Sequence, residues 1–403
     1  MKVKFTELNS GYKGERRVAR FTGKSRTKAI FVASLVSAFV FVYILSLVGL
    51  IPLDVLFLKA RVGISGENDR LPLSVNTEST LNMDIIGESV IILTTENVSV
   101  YSDNGRMIYS KPHVFAKPGI SVNGDKAIVF DRGGKGFMLL TEKEFVYEGQ
   151  TDHTIISAEY GENGSYALGT KAKEATSMLT VYNKQNEAVF QWNCAYEYIA
   201  AITISKNGKF VGCAVAGAAN GELFTTVQYF GVDYKEPLNT QTISGVAPLD
   251  IDFTRTDTLT LLTDKGVYTV ERKAEKYTEV AAYYSSEFNS CDMSDDGRYI
   301  VTLAKYGSEN VFDISLYSPN GDIKTSIPAD FEIKSAYLSG KYIVALAENK
   351  VVVYNLNGRQ VSEIEIKGEA LELLPTDDFI FISSLDKLTR CFTYGDSTVT
   401  LSA

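Results

Sequence analysis

A ring of four-stranded blades, an all-β propeller carried behind one membrane-spanning helix, is the architecture that this 403-residue chain predicts. Three observations carry the prediction. From about Leu71 onward the chain is short strands of alternating apolar and polar residues, punctuated by Gly, Asn and Asp, with no amphipathic helical pattern. The strand pattern recurs with a period of about 40 residues, the length a propeller blade requires. Ahead of it lies one uncharged apolar run behind a dense basic segment.

The basic segment, residues 1–28, holds nine Lys and Arg against Glu7 and Glu15 and reads as a cytoplasmic tail. Residues 29–53 (AIFVASLVSAFVFVYILSLVGLIPL) contain no Asp, Glu, Lys or Arg. As a helix they extend about 37 Å, enough to cross a hydrocarbon core of ~30 Å with tilt, and only a helix satisfies their backbone there. The first charges beyond are mixed (Asp54, Lys59, Arg61, Glu67), so the positive-inside rule places the N-terminus in the cytoplasm and the body outside. A cleaved signal peptide is the alternative, but it needs a shorter apolar core and a small-x-small site, and VGLIPLDVLFLKARVG offers none. The expected organisation is therefore a tail over 1–28, a signal-anchor helix over 29–53, a linker over 54–70 and an extracytoplasmic propeller over 71–403.

Charge divides along the same boundary. The whole chain carries −9, while the tail alone is positive, so the body is strongly acidic. An acidic body lacks the basic face that phosphate neutralisation demands, and nucleic acid is excluded as a partner.

Within the body, NGKFVGCAVAG (207–217), DGRYIVTLAKYG (296–307) and SGKYIVALAEN (339–349) repeat one half of the unit. VSVYSDNGRMIYS (98–110), ISLYSPNGDIKTSI (314–327) and VVVYNLNGRQVSEI (352–364) repeat the other. Anchoring each copy before its first apolar strand gives Gly87, Gly124, Gly164, Gly208, Asp257, Gly297, Gly340 and Asp378, spaced 37 to 49 residues apart. Eight copies predict eight blades, with seven the alternative. Each blade alone leaves an apolar face uncovered, and a ring buries each against the next. LPLSV at 71–75 and STVTLS at 397–402 are the candidate closing strands.

Ser205-Lys206-Asn207-Gly208-Lys209-Phe210-Val211 and Ser294-Asp295-Asp296-Gly297-Arg298-Tyr299-Ile300 resemble the S-x-D-G-[KR]-[YF]-[IV] hairpin of WD40-like and TolB-like propellers. The order of basic tail, signal anchor and acidic WD40-like propeller resembles the DUF5711 family of membrane-anchored propellers from Gram-positive bacteria, which is uncharacterised. The resemblance implies fold and topology; its motifs are structural turns and imply no activity. No Trp-Asp dipeptide occurs, and Trp192 is the only tryptophan, against the Trp per blade of quinoprotein propellers.

Chemistry-bearing patterns are sparse. Cys194, Cys213, Cys291 and Cys391 are far apart with no CxxC, and are expected as buried free thiols. A hairpin turning at Asn207-Gly208 places Cys213 opposite Ile202 and away from Cys194. His113 (KPHVF) and His153 (QTDHTII) are the only histidines, both in expected loops, and no HExxH, G-x-S-x-G or Walker motif is present. Asp131-Arg132-Gly133-Gly134 leads into a strand and so lacks the helix N-terminus of an anion cradle. Asp292-Met293-Ser294-Asp295-Asp296-Gly297 imitates a calcium loop, yet its twelfth position is Leu303 and not a bidentate Glu, so it reads as a turn.

The expected function is accordingly a non-catalytic binding or scaffolding module at the cell surface. Its expected partners are the membrane, through residues 29–53, and a protein or cell-envelope ligand on a propeller face. No catalytic residue, cofactor or metal site is expected. A surface hydrolase using channel carboxylates on carbohydrate or peptide, and a ligand sensor signalling through the helix, are the rival readings. The topology is open to direct test: protease added to spheroplasts should digest the body and spare the tail, and the mature chain should begin at or near Met1. A mature N-terminus beyond residue 53 refutes the anchor.

Overall fold

Antiparallel hairpins follow directly from the turn chemistry. The computed structural model describes residues 70–75, 79–283, 286–294, 296–305, 307, 311–393 and 397–401. The tail, the apolar run 29–53 and the linker up to residue 69 lie outside them. Among the described residues no helix is long and apolar enough to cross a membrane. The strands form eight sheets, each built on four antiparallel strands, and successive sheets follow one another along the chain as the blades of an eight-bladed propeller.

The innermost strands, one per blade, are Thr80–Ile86, Pro118–Asn123, Ile155–Tyr160, Tyr198–Ile204, Pro248–Arg255, Ser286–Met293, Ser335–Leu338 and Glu372–Pro375. Every anchor position of the sequence repeat, from Gly87 to Asp378, falls in the turn between the first and second strands of its blade. At one of them, Gly208, φ is +67°, and a Cβ would also collide with the Asn163 side chain of the preceding blade. The longest repeat spacing has a local cause. In blade 4, Phe210–Ala219 and Glu222–Gly231 run ten residues each around Asn220-Gly221, whose φ values of 54° and 85° suit a tight two-residue hairpin.

Packing between blades is apolar. Ile91 and Leu93 of blade 1 meet Ala127, Met138 and Leu140 of blade 2. Leu179 and Val181 of blade 3 meet Ile202, Val211 and Cys213 of blade 4, and Ile300 and Ile314 of blade 6 meet Ile343 and Val352 of blade 7. All four thiols are free, with Cys194, Cys213 and Cys391 buried and Cys291 partly so. Cys213 lies opposite Ile202 as expected, although Cys194 borders the same apolar cluster.

Closure uses one of the two candidate strands. Leu73–Ser74 forms the fourth strand of blade 8, pairing Leu73 with Leu388 and Ser74 with Lys387, and the Val75 amide donates to the Asp386 carbonyl at 2.8 Å. Arg390 Nη1 donates to the Asp103 carbonyl at 2.5 Å and so joins blade 8 to blade 1. The terminal strand, Ser397–Thr400, does not close the ring. Blade 8's outer position is already filled, so it adds in parallel to Gln360–Lys367 at the edge of blade 7, with Val399 and Leu401 buried.

This closing strand is short, and its contribution is correspondingly modest. The added hydrogen bonds and the burial of Val75 contribute on the order of 3 kcal/mol. A chain beginning at residue 76 should therefore unfold at clearly lower denaturant than one beginning at residue 64. Equal midpoints rule out Leu73–Ser74 as the closing strand.

Candidate functional site

Eight innermost strands converge on one axis, so whatever their inward-facing residues are becomes a single surface. The cavity there has a volume of about 800 Å³. Its lining includes nine acids, Asp84, Glu159, Glu162, Asp250, Asp252, Asp292, Asp296, Glu372 and Asp377, and one cation, Lys206. Lys206 sits in the first turn of blade 4, paired with Glu162 at 2.9 Å.

Several of these carboxylates tie one blade to another. Glu159 of blade 3 accepts hydrogen bonds from Ser121 Oγ at 2.5 Å and Asn123 Nδ2 at 3.1 Å, both of blade 2. Thr203 Oγ1 of blade 4 donates to Asp252 Oδ1 of blade 5 at 2.7 Å. The Leu338 amide of blade 7 donates to Asp292 Oδ2 of blade 6 at 2.7 Å. Asp250 accepts from the neighbouring Ile251 amide at 2.8 Å.

Enclosure by the ring penalises charge on these groups. Burial pushes Glu159 up to about 8 against the hydrogen bonds from Ser121 and Asn123, and the Asp252 and Asp250 charges add to the rise. Asp250 rises to about 7 through burial and the adjacent Asp252. Asp292 reaches about 7 through burial, opposed by the Leu338 amide and reinforced by Asp84 and Asp250. Glu372 reaches about 7 through burial and Asp84. At the turn below, partial burial is outweighed for Asp296: hydrogen bonds from Arg298 and Ser294 hold it down at about 2.

The residues singled out by sequence go elsewhere. His113 is buried in the crossing from blade 1 to blade 2, stacked on Phe115 with centroids 5.1 Å apart. Its Nε2 donates to the Thr94 carbonyl at 3.0 Å while Nδ1 accepts from the Phe115 amide at 3.3 Å. His153 lies in the next crossing, and neither histidine lines the channel. Asp131 ends the second strand of blade 2 and accepts from the Lys117 amide, just ahead of the first strand of that blade, at 3.0 Å. The run from Asp292 to Gly297 lines the channel through Asp292, Met293, Ser294 and Asp296, and Ser294 and Arg298 both donate to Asp296 across the turn. Among the described residues no cluster of His, Cys, Asp or Glu has the arrangement of a metal site.

The model of DUF5711, a family of unknown function, matches residues 70–387. The chain belongs to DUF5711. The match spans the propeller up to the third strand of blade 8. No curated protein sequence matches this DUF5711 chain. Among solved structures it is similar to one described as the crystal structure of the eukaryotic initiation factor, with 11% identity over 80% of this chain and 87% of that one and a TM-score of 0.56. BamB from Moraxella catarrhalis gives 13% identity over 79% and 97% of the two chains, at a TM-score of 0.46. Kuenenia stuttgartiensis hydrazine synthase gives 12% over 70% and 97%, at 0.49. At these identities the likeness concerns fold alone.

The raised carboxyls make stability depend on pH. Folded Glu159, Asp250, Asp292 and Glu372 hold protons that the unfolded chain has released, so their stabilisation is complete below the unfolded values near 4 and is lost as pH rises through about 7 to 8. Asp296, held at about 2, acts only in strong acid, outside that window. The melting temperature should therefore fall between pH 6.5 and pH 8, and Glu159→Gln should flatten that fall. A melting temperature that rises over the interval contradicts the assignment.

Proposed function

We propose that this chain is a membrane-anchored, extracytoplasmic propeller serving as a non-catalytic binding or scaffolding module at the bacterial cell surface. The observation that carries the reading is the axial cavity: its walls come from all eight blades, and Glu159, Asp252 and Asp292 among its carboxylates accept hydrogen bonds from a neighbouring blade. Such groups hold a ring in a fixed shape, and a fixed shape presents a preorganised surface to a partner. The apolar run 29–53 and the basic tail support the anchored topology.

One observation favours a hydrolase as the second reading. Burial, with the neighbouring Asp252 and Asp250 adding to it, pushes Glu159 up to about 8, and an acid that keeps its proton among other carboxyls is one member of the pair that glycoside hydrolysis uses. The two readings separate cleanly. The purified full chain, given a panel of cell-wall glycans and peptides, should turn over none of them, and the intact membrane form should retain a crosslinked partner through the ring. Turnover that disappears in Glu159→Gln, by the ~10²–10⁴-fold worth of a general acid, replaces the binding reading with the catalytic one.

A further inference from the structure

The innermost strands share an irregularity near the end where the chain crosses from one blade into the next. In blades 1, 3, 4, 5 and 6 the pairing of the first strand with the second skips one residue: Leu81, Ile156, Ala200, Leu249 and Asn289. A β-bulge re-aims the side chains on either side of it. Four of the five bulged residues are apolar, and Leu371, just ahead of the innermost strand of blade 8, joins them. Leu81, Leu249 and Leu371 are 48, 46 and 47% exposed. Because each stands at the same end of an innermost strand, these leucines make a broken apolar collar at one mouth of the channel, on blades 1, 5 and 8.

Acid begins immediately inside that collar. Asp250 follows Leu249, Glu372 follows Leu371, and Asp84 comes three residues after Leu81; all three acids line the cavity. Lys206, the one cation in the described lining, belongs to a first turn and hence to the opposite mouth. Apolar surface left exposed as a patch marks an interaction site, and here the charge beneath it selects the partner.

We infer that this mouth docks a loop of a partner protein that presents one Lys or Arg flanked by apolar side chains. The flanking residues cover Leu81, Leu249 and Leu371, and the basic side chain enters the channel toward Asp250 and Glu372. A turn with a projecting basic residue suits this shape because Leu81, Leu249 and Leu371 stand at the mouth and do not line the cavity. The inference rests on the binding-module reading and names its partner class.

The test uses the full chain in lipid nanodiscs and three cyclic peptides with Leu-Arg-Leu, Leu-Gln-Leu or Ser-Arg-Ser at the turn. Leu-Arg-Leu should bind at least about tenfold more tightly than either control, and its affinity should fall with added salt. Asp250→Asn with Glu372→Gln should remove that advantage while leaving the melting temperature at pH 8 unchanged or higher. Leu249→Ser with Leu371→Ser should weaken Leu-Arg-Leu by a similar factor. No binding of Leu-Arg-Leu, equal binding of all three, or indifference to both double variants overturns the inference. A benzophenone crosslinker placed in cells at position 249 or at position 186, in an outer turn on the opposite face, separates this failure from the broader one. Adducts at 186 alone overturn the collar and leave a binding module; adducts at neither position overturn both.

Discussion

Every blade of this molecule depends on its neighbours to cover two apolar faces, and the rest of the structure answers to that constraint. Strands such as Thr258–Thr263, buried along their whole length, have no polar face to offer water. Leu259 and Leu261 pack against Val227 and Tyr229 of blade 4, while Leu262 and Val267 meet Tyr299 and Val301 of blade 6. Stability is thus a property of closure more than of any sheet, and it is sensitive to the seam where blade 8 meets blade 1.

The same geometry concentrates charge. Innermost strands brought together on one axis gather their carboxylates around one enclosed cavity, and the ring accommodates them in two ways. Hydrogen bonds from Ser121, Thr203 and the Leu338 amide convert Glu159, Asp252 and Asp292 into fasteners between blades. The remaining electrostatic cost appears as carboxyls that retain protons near neutrality. Perturbed carboxyls gathered in one cavity are among the physical features that mark candidate functional sites.

Much of this was legible in the residues. Turn chemistry located the first turn of all eight blades, and the register of one hairpin correctly opposed Cys213 to Ile202. The closing strand was half legible: two short apolar segments at the ends of the body competed, and only the geometry of an occupied blade 8 sent Ser397–Thr400 to blade 7. The channel was not legible as a site. Asp84 and Asp292 are distant in sequence, and nothing in their spacing says that they face one axis. A signal did exist: Asp84, Glu159, Asp250, Asp252, Asp292 and Glu372 each stand three to seven residues ahead of a repeat anchor, which is the innermost strand once the blade frame is known. The bulges were invisible, since a skipped residue in a strand leaves no compositional trace.

The seam also dictates an order of events. Leu73 must pair with Leu388, so a segment made before blade 1 waits for one made after blade 7. Contacts of such separation form late and slowly because the chain between them must be organised beforehand. Blades 1 to 7 can assemble in sequence as they appear, each shielding the apolar face of the one before it. The outer strand position of blade 8 stays open until both ends of the body meet. During that interval the third strand of blade 8, Lys387–Phe392, offers a bare edge of the kind that templates pairing with other chains.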